Sequence, residues 1–313
     1  MSRFEHIVNT SYIAKKYIRN SVSSAITLIK LSDFGIDKDS FISNLAPSYH
    51  ELPYDYYDVA FKIEKHIQET YPTLYSQHED KWHNYWKGIG KREDEKTSLI
   101  NFWKDIIKDD ELIRIISNFP PFRKRSCFQY LVTPTSTPFE WKITEKGVPI
   151  FNQNVQDARA RERKFSAPQT SVLRNEDILK LIASLVQMIA ISPTVNTKRF
   201  KVTLHQMITY DKGTEANQPA PESIHQDGSH YIVSALVMER KNIEGGISKI
   251  YYNYPQEHNK DVSLAFEHTL TEGEGILQTD TLHNLWHEIT PISTTNPKQT
   301  AYRSTLGFDI DFI

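Results

Sequence analysis

The sequence has a single cysteine, Cys127, in 313 residues. No intrachain disulfide can form, which suits a reducing compartment. It also lacks any run of about 18 apolar residues, the length a membrane-crossing helix needs. The stretch Met1 to Lys16 mixes Arg, Glu, His and Lys with apolar residues and has no apolar centre of the kind a secretory signal carries. These absences lead us to expect an intracellular, cytoplasmic protein. Charge of one sign is lacking too. The formal net charge is −2, so bulk attraction to nucleic acid or to an anionic membrane is not expected. No internal repeat or low-complexity tract stands out. The remaining composition, 39% hydrophobic and 24% charged, is that of an ordinary folded chain, long enough for one large domain or two modest ones.

The front of the chain reads as helical. Val59, Ile63 and Ile67 recur every four residues over 55–70, and Leu99, Phe102, Trp103, Ile106 and Ile107 repeat the pattern over 94–117. A further helix is expected from Asp109, carrying Leu112, Ile115 and Ile116, until Pro120 and Pro121 stop it. Residues 8–31 are also expected to be helical, although β-branched residues are frequent there. Trp82, Trp86 and Trp103 are read as packing anchors. The first hundred or so residues hold no chemistry-bearing motif, so this part is taken as a cap or a homodimerisation module.

Further on, Asn175 is a good N-cap, with Glu176 and Asp177 at the positive end of a helix. Ile178, Leu181, Ile182, Leu185, Val186 and Ile189 share one face, as in a helix lying on a sheet. From residue 199 the period changes to two. Val202, Leu204, Gln206 and Ile208 face one way and Thr203, His205, Met207 and Thr209 the other. Strands are expected near 230–239, 247–253, 261–270, 275–279, 285–291 and 299–310, with turn residues between them. Such a series means a β-sandwich or barrel.

The chemistry concentrates in this back half. His225 and Asp227 stand at a strand entrance and, if extended, point to one side. A second imidazole on a neighbouring strand would complete a set of two His and one carboxylate, which suits non-haem Fe(II) and leaves positions open for a bidentate acid and oxygen. His287 supplies it sixty residues after Asp227, and Arg303 follows on the next strand. His283 competes with His287 for the role. A guanidinium forks to a carboxylate with two charge-assisted hydrogen bonds.

The stretches 225–228 (HQDG), 240–248 (RKNIEGGIS) with Ile250 and Tyr251, 286–292 (WHEITPI) and 303–309 (RSTLGFD) resemble the 2-oxoglutarate/Fe(II)-dependent dioxygenase superfamily. Within it the chain is most similar to the free-amino-acid hydroxylase group that includes bacterial L-isoleucine dioxygenase, with weaker echoes at 122–128 and 151–153. The resemblance implies an α+β fold: a double-stranded β-helix (jelly-roll) domain over 120–313, with an added N-terminal helical region over 1–119. It implies iron held by His225, Asp227 and His287, with Arg303 and Thr305 binding 2-oxoglutarate. It further implies O₂ as a reactant and an unactivated C–H bond of a free amino acid or similar small molecule as the target. Related halogenases lack the carboxylate that Asp227 provides, so halogenation is disfavoured. Many relatives carry an acid where this chain has His230, which leaves the handling of a substrate amine open.

Oxidative cyclisation or desaturation uses the same ligands and stands as an alternative. So do a non-enzymatic jelly-roll binding protein and a zinc hydrolase, in which Arg303 would have no obvious task. His205, His258 and His268 are read as ordinary strand or loop histidines. Arg123, Arg125, Arg159, Arg161 and Arg163 are read as solvated or structural, with one of them gripping a substrate carboxylate as the functional option. Gly245 and Gly246 are read as a bulge, or as small residues leaving room over the metal.

Overall fold

The computed structural model describes residues 4–13, 25–55, 57–88, 93–110, 112, 122–151, 162–192, 195–211, 224–252 and 263–313. Strands β1 (Glu5–Asn9) and β2 (Ile26–Lys30) come first. Helices α1 (Lys38–His50), α2 (Tyr57–Thr70), α3 (Pro72–Gln77), α4 (Glu79–Gly88) and α5 (Glu93–Ile106) follow. Then come β3 (Arg123–Pro134), β4 (Glu140–Gly147), helix α6 (Glu176–Ala190) and strands β5 (Phe200–Asp211), β6 (Tyr231–Lys241), β7 (Ile243–Gly245), β8 (Ser248–Tyr252), β9 (Ser263–His268), β10 (Glu274–Thr279), β11 (Leu285–Ile289), β12 (Ile292–Thr294) and β13 (Ala301–Phe312). No described helix is long and apolar enough to cross a membrane.

Eight strands form one antiparallel sheet in the order β1-β4-β3-β5-β13-β6-β10-β2. A three-stranded sheet, β11-β8-β9, and a pair, β12-β7, stand beside it. The alternation read from the sequence decides what each face meets. Val202, Leu204 and Ile208 of β5 and Leu306, Phe308 and Ile310 of β13 are buried in one core with Ile178, Leu181, Leu185 and Ile189 of α6. The opposite face of the same two strands carries His205, Met207, Thr305, Gly307 and Asp309 into a cavity. A smaller cluster, Ala235, Val237, Ile250, Ile276 and Leu285, packs the three-stranded sheet against β6 and β10.

The helix expected from Asn175 is present, and its capping oxygen accepts from the N–H groups of Asp177 and Ile178. The helical period over 55–70 is α2, with Ile63 and Ile67 fully buried; the side chain of Val59 lies outside the described residues. Trp82 and Trp103 are buried and stack with ring centroids 6.1 Å apart, while the side chain of Trp86 lies outside the description. So does most of the helix expected from Asp109.

The helix expected over 8–31 is not found at its two ends, which are strands; residues 11–13 are helical and 14–24 lie outside the described residues. Residues 5–9 pair with β4 and 26–30 with β10, and these two strands close opposite edges of the large sheet. Their β-branched residues, Ile7, Val8, Ile26, Thr27 and Ile29, favour the extended chain over a helix. The strand β3 was not foreseen either, because its Arg, Lys, Arg, Ser start shows no apolar alternation.

Candidate metal centre

The site is assembled by backbone. His225 and His287 form an antiparallel bridge in which each N–H donates to the other's carbonyl at 2.9 Å. His287 is fixed on the far side by pairing with Ile250 of β8. The two imidazoles therefore project together, with ring centroids 4.3 Å apart. After Asp227 the chain turns at Gly228, whose φ of +90° is a conformation L side chains rarely adopt. Asp280 holds that turn: its Oδ2 accepts from the N–H of Gly228 at 2.7 Å and of Ser229 at 3.2 Å. Gln226 ties the same turn down by donating to the carbonyls of Leu285 and Asp280.

This framework brings the carboxylate of Asp227 to 3.5 Å from His225 Nε2 and 3.6 Å from His287 Nε2. One ligand atom from each residue lies within 4.8 Å of the other two. A single ion with bonds of about 2.0–2.2 Å to N and O fits among atoms at such spacing after small side-chain adjustments. Burial would raise the Asp227 carboxyl, but the imidazoles of His287 and His225 outweigh it and hold the group well below the usual carboxylate range. Asp280 behaves in the opposite way. Burial, followed by the nearby Asp227 charge, pushes it up to about 8 despite its two N–H donors. Asp280 escaped sequence reasoning because it matches no ligand spacing; its role is to shape the turn.

The three side chains line a cavity with Arg123, Arg125, His205, Met207, Thr305, Gly307 and Asp309. Thr305, expected beside the co-substrate, is thus in the cavity wall. Arg303 lies two residues along the same strand, 2% exposed and outside that lining. Its Nε and one terminal nitrogen have no hydrogen-bond partner among the described residues. Burial, then the adjacent Arg240, pushes its guanidinium down to about 9. Arg240 donates to the carbonyl of Gly245 at 2.6 Å. Two neighbouring guanidiniums with open donors are a natural seat for an anion.

Of the two glycines read as a bulge or as room over the metal, Gly246 packs against Arg240 and Arg303 and Gly245 against the Pro291 carbonyl. A Cβ on Gly246 would fall 3.1 Å from an Arg240 nitrogen and 3.2 Å from Arg303 Cδ, and one on Gly245 would strike the Pro291 carbonyl. His283 lies outside the ligand set, with Nδ1 3.1 Å from the Thr279 hydroxyl. His230 packs on Phe312 and faces Asp311. His268 lies 3.5 Å from Glu274, while His258, Arg159 and Arg161 are outside the described residues. His205, read as an ordinary strand histidine, lines the cavity, as do Arg123 and Arg125 of the arginines read as structural or as a grip for a substrate carboxylate. Arg163 is buried.

The chain matches the family model described as 2OG-Fe dioxygenase over residues 101–309. A search of curated proteins finds no match. Among solved structures, that of a bsmA homolog from Methylobium petroleophilum PM1 is 14% identical, with 97% of this chain and 94% of that one covered at a TM-score of 0.59. The Fe(II)/(alpha)ketoglutarate-dependent dioxygenase TqaL is 13% identical, with 96% and 87% covered at 0.51. At these identities the likeness is one of fold.

Proposed function

The chain belongs to the 2OG-Fe dioxygenase family, and from that premise we propose that it hydroxylates an unactivated C–H bond of a free amino acid, with iron held by His225, Asp227 and His287. It is a 2-oxoglutarate-dependent dioxygenase using Fe(II) and 2-oxoglutarate. One observation carries the site assignment: three ligand atoms of a two-His, one-carboxylate set converge on one point at a cavity wall. We read the large sheet and the three-stranded sheet as the two walls of a jelly roll.

When bound, the iron and 2-oxoglutarate supply the oxidation, in which O₂ and the oxo-acid are converted to succinate and CO₂ as the substrate is oxidised. The chain's own part is binding and orientation. Arg303 anchors the distal carboxylate of 2-oxoglutarate through its open donors, and Thr305 stands beside it on the same strand face. The bridge between His225 and His287 keeps the imidazoles aimed without any help from the metal. Asp280 and Gln226 keep Asp227 presented by fixing the turn around it.

The test is succinate release from 2-oxoglutarate by the Fe(II)-loaded chain, with and without a panel of amino acids. We expect release to be stimulated by at least one of them and its product to carry one added oxygen. A product of two hydrogens fewer and no added oxygen would assign desaturation or ring closure instead. Absence of any 2-oxoglutarate consumption would overturn the reading.

A further inference from the structure

The cavity wall away from Arg303 carries a second constellation. Arg125 of β3 donates from a terminal nitrogen to His205 Nδ1 at 3.0 Å, and His205 Nε2 lies 2.8 Å from Asp309 Oδ2. Because Nδ1 accepts, Nε2 carries the proton and donates to Asp309. A cation and an anion are thus held apart by one ring and its two hydrogen bonds, where a direct ion pair would have neutralised both. All three residues line the cavity that holds His225, Asp227 and His287.

The neighbouring charges make Arg125 the cation on offer. Arg123 lines the same cavity but is committed to buried Asp55, at 2.7 Å and 3.0 Å from one carboxylate oxygen. Arg125 Nε is buried without a hydrogen-bond partner among the described residues. Its guanidinium is steadied against the ring of Phe165, 4.5 Å from the centroid. Arg123, Arg125 and Arg163 all act on the one Asp55 carboxylate. At the other end of the pair, Asp309 keeps 17% of its side chain exposed.

We propose that this wall recognises the α-amino-acid zwitterion, with Arg125 taking the substrate's carboxylate, Asp309 its ammonium, and His205 setting the spacing between them. An ammonium and a carboxylate on one carbon, each with a hydrogen bond of about 3 Å to the protein, span about the distance that the imidazole and its two hydrogen bonds span between Arg125 and Asp309. The substrate's side chain then extends from that anchor towards His225, Asp227 and His287. Asp309 also supplies the acid for a substrate amine that position 230 lacks. The assignment rests on the oxygenase reading above and adds the residues that choose the substrate.

The experiment is anaerobic calorimetric titration of the full chain loaded with Fe(II) and 2-oxoglutarate, with the twenty protein amino acids as probes. For each that binds, its deaminated acid and its decarboxylated amine are titrated as well. We expect both analogues to bind at least tenfold more weakly than the amino acid. Arg125→Gln should weaken the amino acid by more than tenfold and leave the amine unchanged; Asp309→Asn should weaken it and leave the deaminated acid unchanged. Binding of 2-oxoglutarate, titrated separately, should stay within twofold in both variants. If Arg125→Gln melts too low for titration, Arg125→Lys keeps the charge without the fork and should show a smaller loss in the same direction. The analogue comparison on the unaltered chain needs no variant. The proposal falls if 2-oxoglutarate binds but no amino acid does, if the analogues bind as well as the amino acid, or if Arg125→Gln binds it normally. Failure of 2-oxoglutarate to bind the unaltered chain would instead remove the oxygenase reading, and this assignment with it.

Discussion

At the scale of single residues, the metal ligands and the anion seat make separable demands. His287 is buried on a short strand, but its backbone bridge to His225 does not use the imidazole. His287→Ala should therefore abolish iron binding in a metal titration while the far-ultraviolet dichroism stays that of the parent. Arg303→Ala should leave iron binding intact and cost about 2–5 kcal/mol in 2-oxoglutarate affinity, the usual range when one partner of a buried charge pair is truncated. Arg303→Lys keeps the charge but loses the fork and should fall between the two. Gly246→Ala tests the seat from its floor. Its φ of +64° disfavours a side chain, and the new methyl would press on an Arg240 nitrogen, on Ile292 and on the Cδ of Arg303. It should weaken 2-oxoglutarate binding in the same titration and spare iron. That His225, Asp227 and His287 come together was legible from residue order joined to the family pattern around His287. Which of the candidate arginines face the cavity was not, nor that His205 does, because a charged residue pointing into a cavity looks in sequence like one pointing into solvent.

At the scale of elements, legibility followed burial. The helix α6 was readable because its apolar residues recur at helical spacing, its length is nearly all buried, and its cap is a side chain that names itself. Asn175→Ala removes an acceptor for two N–H groups. It should cost about 0.5–2 kcal/mol, seen as a fall of a few degrees in melting temperature. The strand β5 was equally plain, since one of its faces is apolar core and the other is cavity. The edge strands β1 and β2 were not. They are five residues each, and Ile7 and Leu28 are exposed where a buried strand would hide its apolar side chains. Their identity is set by the partner strand β4 or β10, which lies far away in sequence.

At the scale of the whole molecule, β2 is fastened to β10 by more than backbone. Lys30 and Glu274 meet at 2.8 Å across the register. Burial tends to raise the Glu274 carboxyl, but the Lys30 contact and the N–H of Thr271 prevail and bring it down to about 2. The folded state thus favours the ionised form. The resulting stability is complete above the unfolded value of 4.5 and is lost as pH falls from there towards 2. Glu274→Gln should flatten that part of the melting-temperature profile against pH. An unchanged slope would mean that other carboxyls dominate it.

The placement of β2 also sets a timetable. It is complete by residue 30, yet its partner begins at residue 274. At a synthesis rate of about 5–20 residues per second, the segment waits on the order of 10–50 s before the strand it needs exists. Its neighbour β1 finds β4 much sooner, by residue 147. The two ends of the sheet are therefore sealed at different times. Until the second is sealed, Ile26, Leu28 and Ile29 belong to an apolar segment without its strand partner, so the nascent chain depends on whatever shields them in the interval.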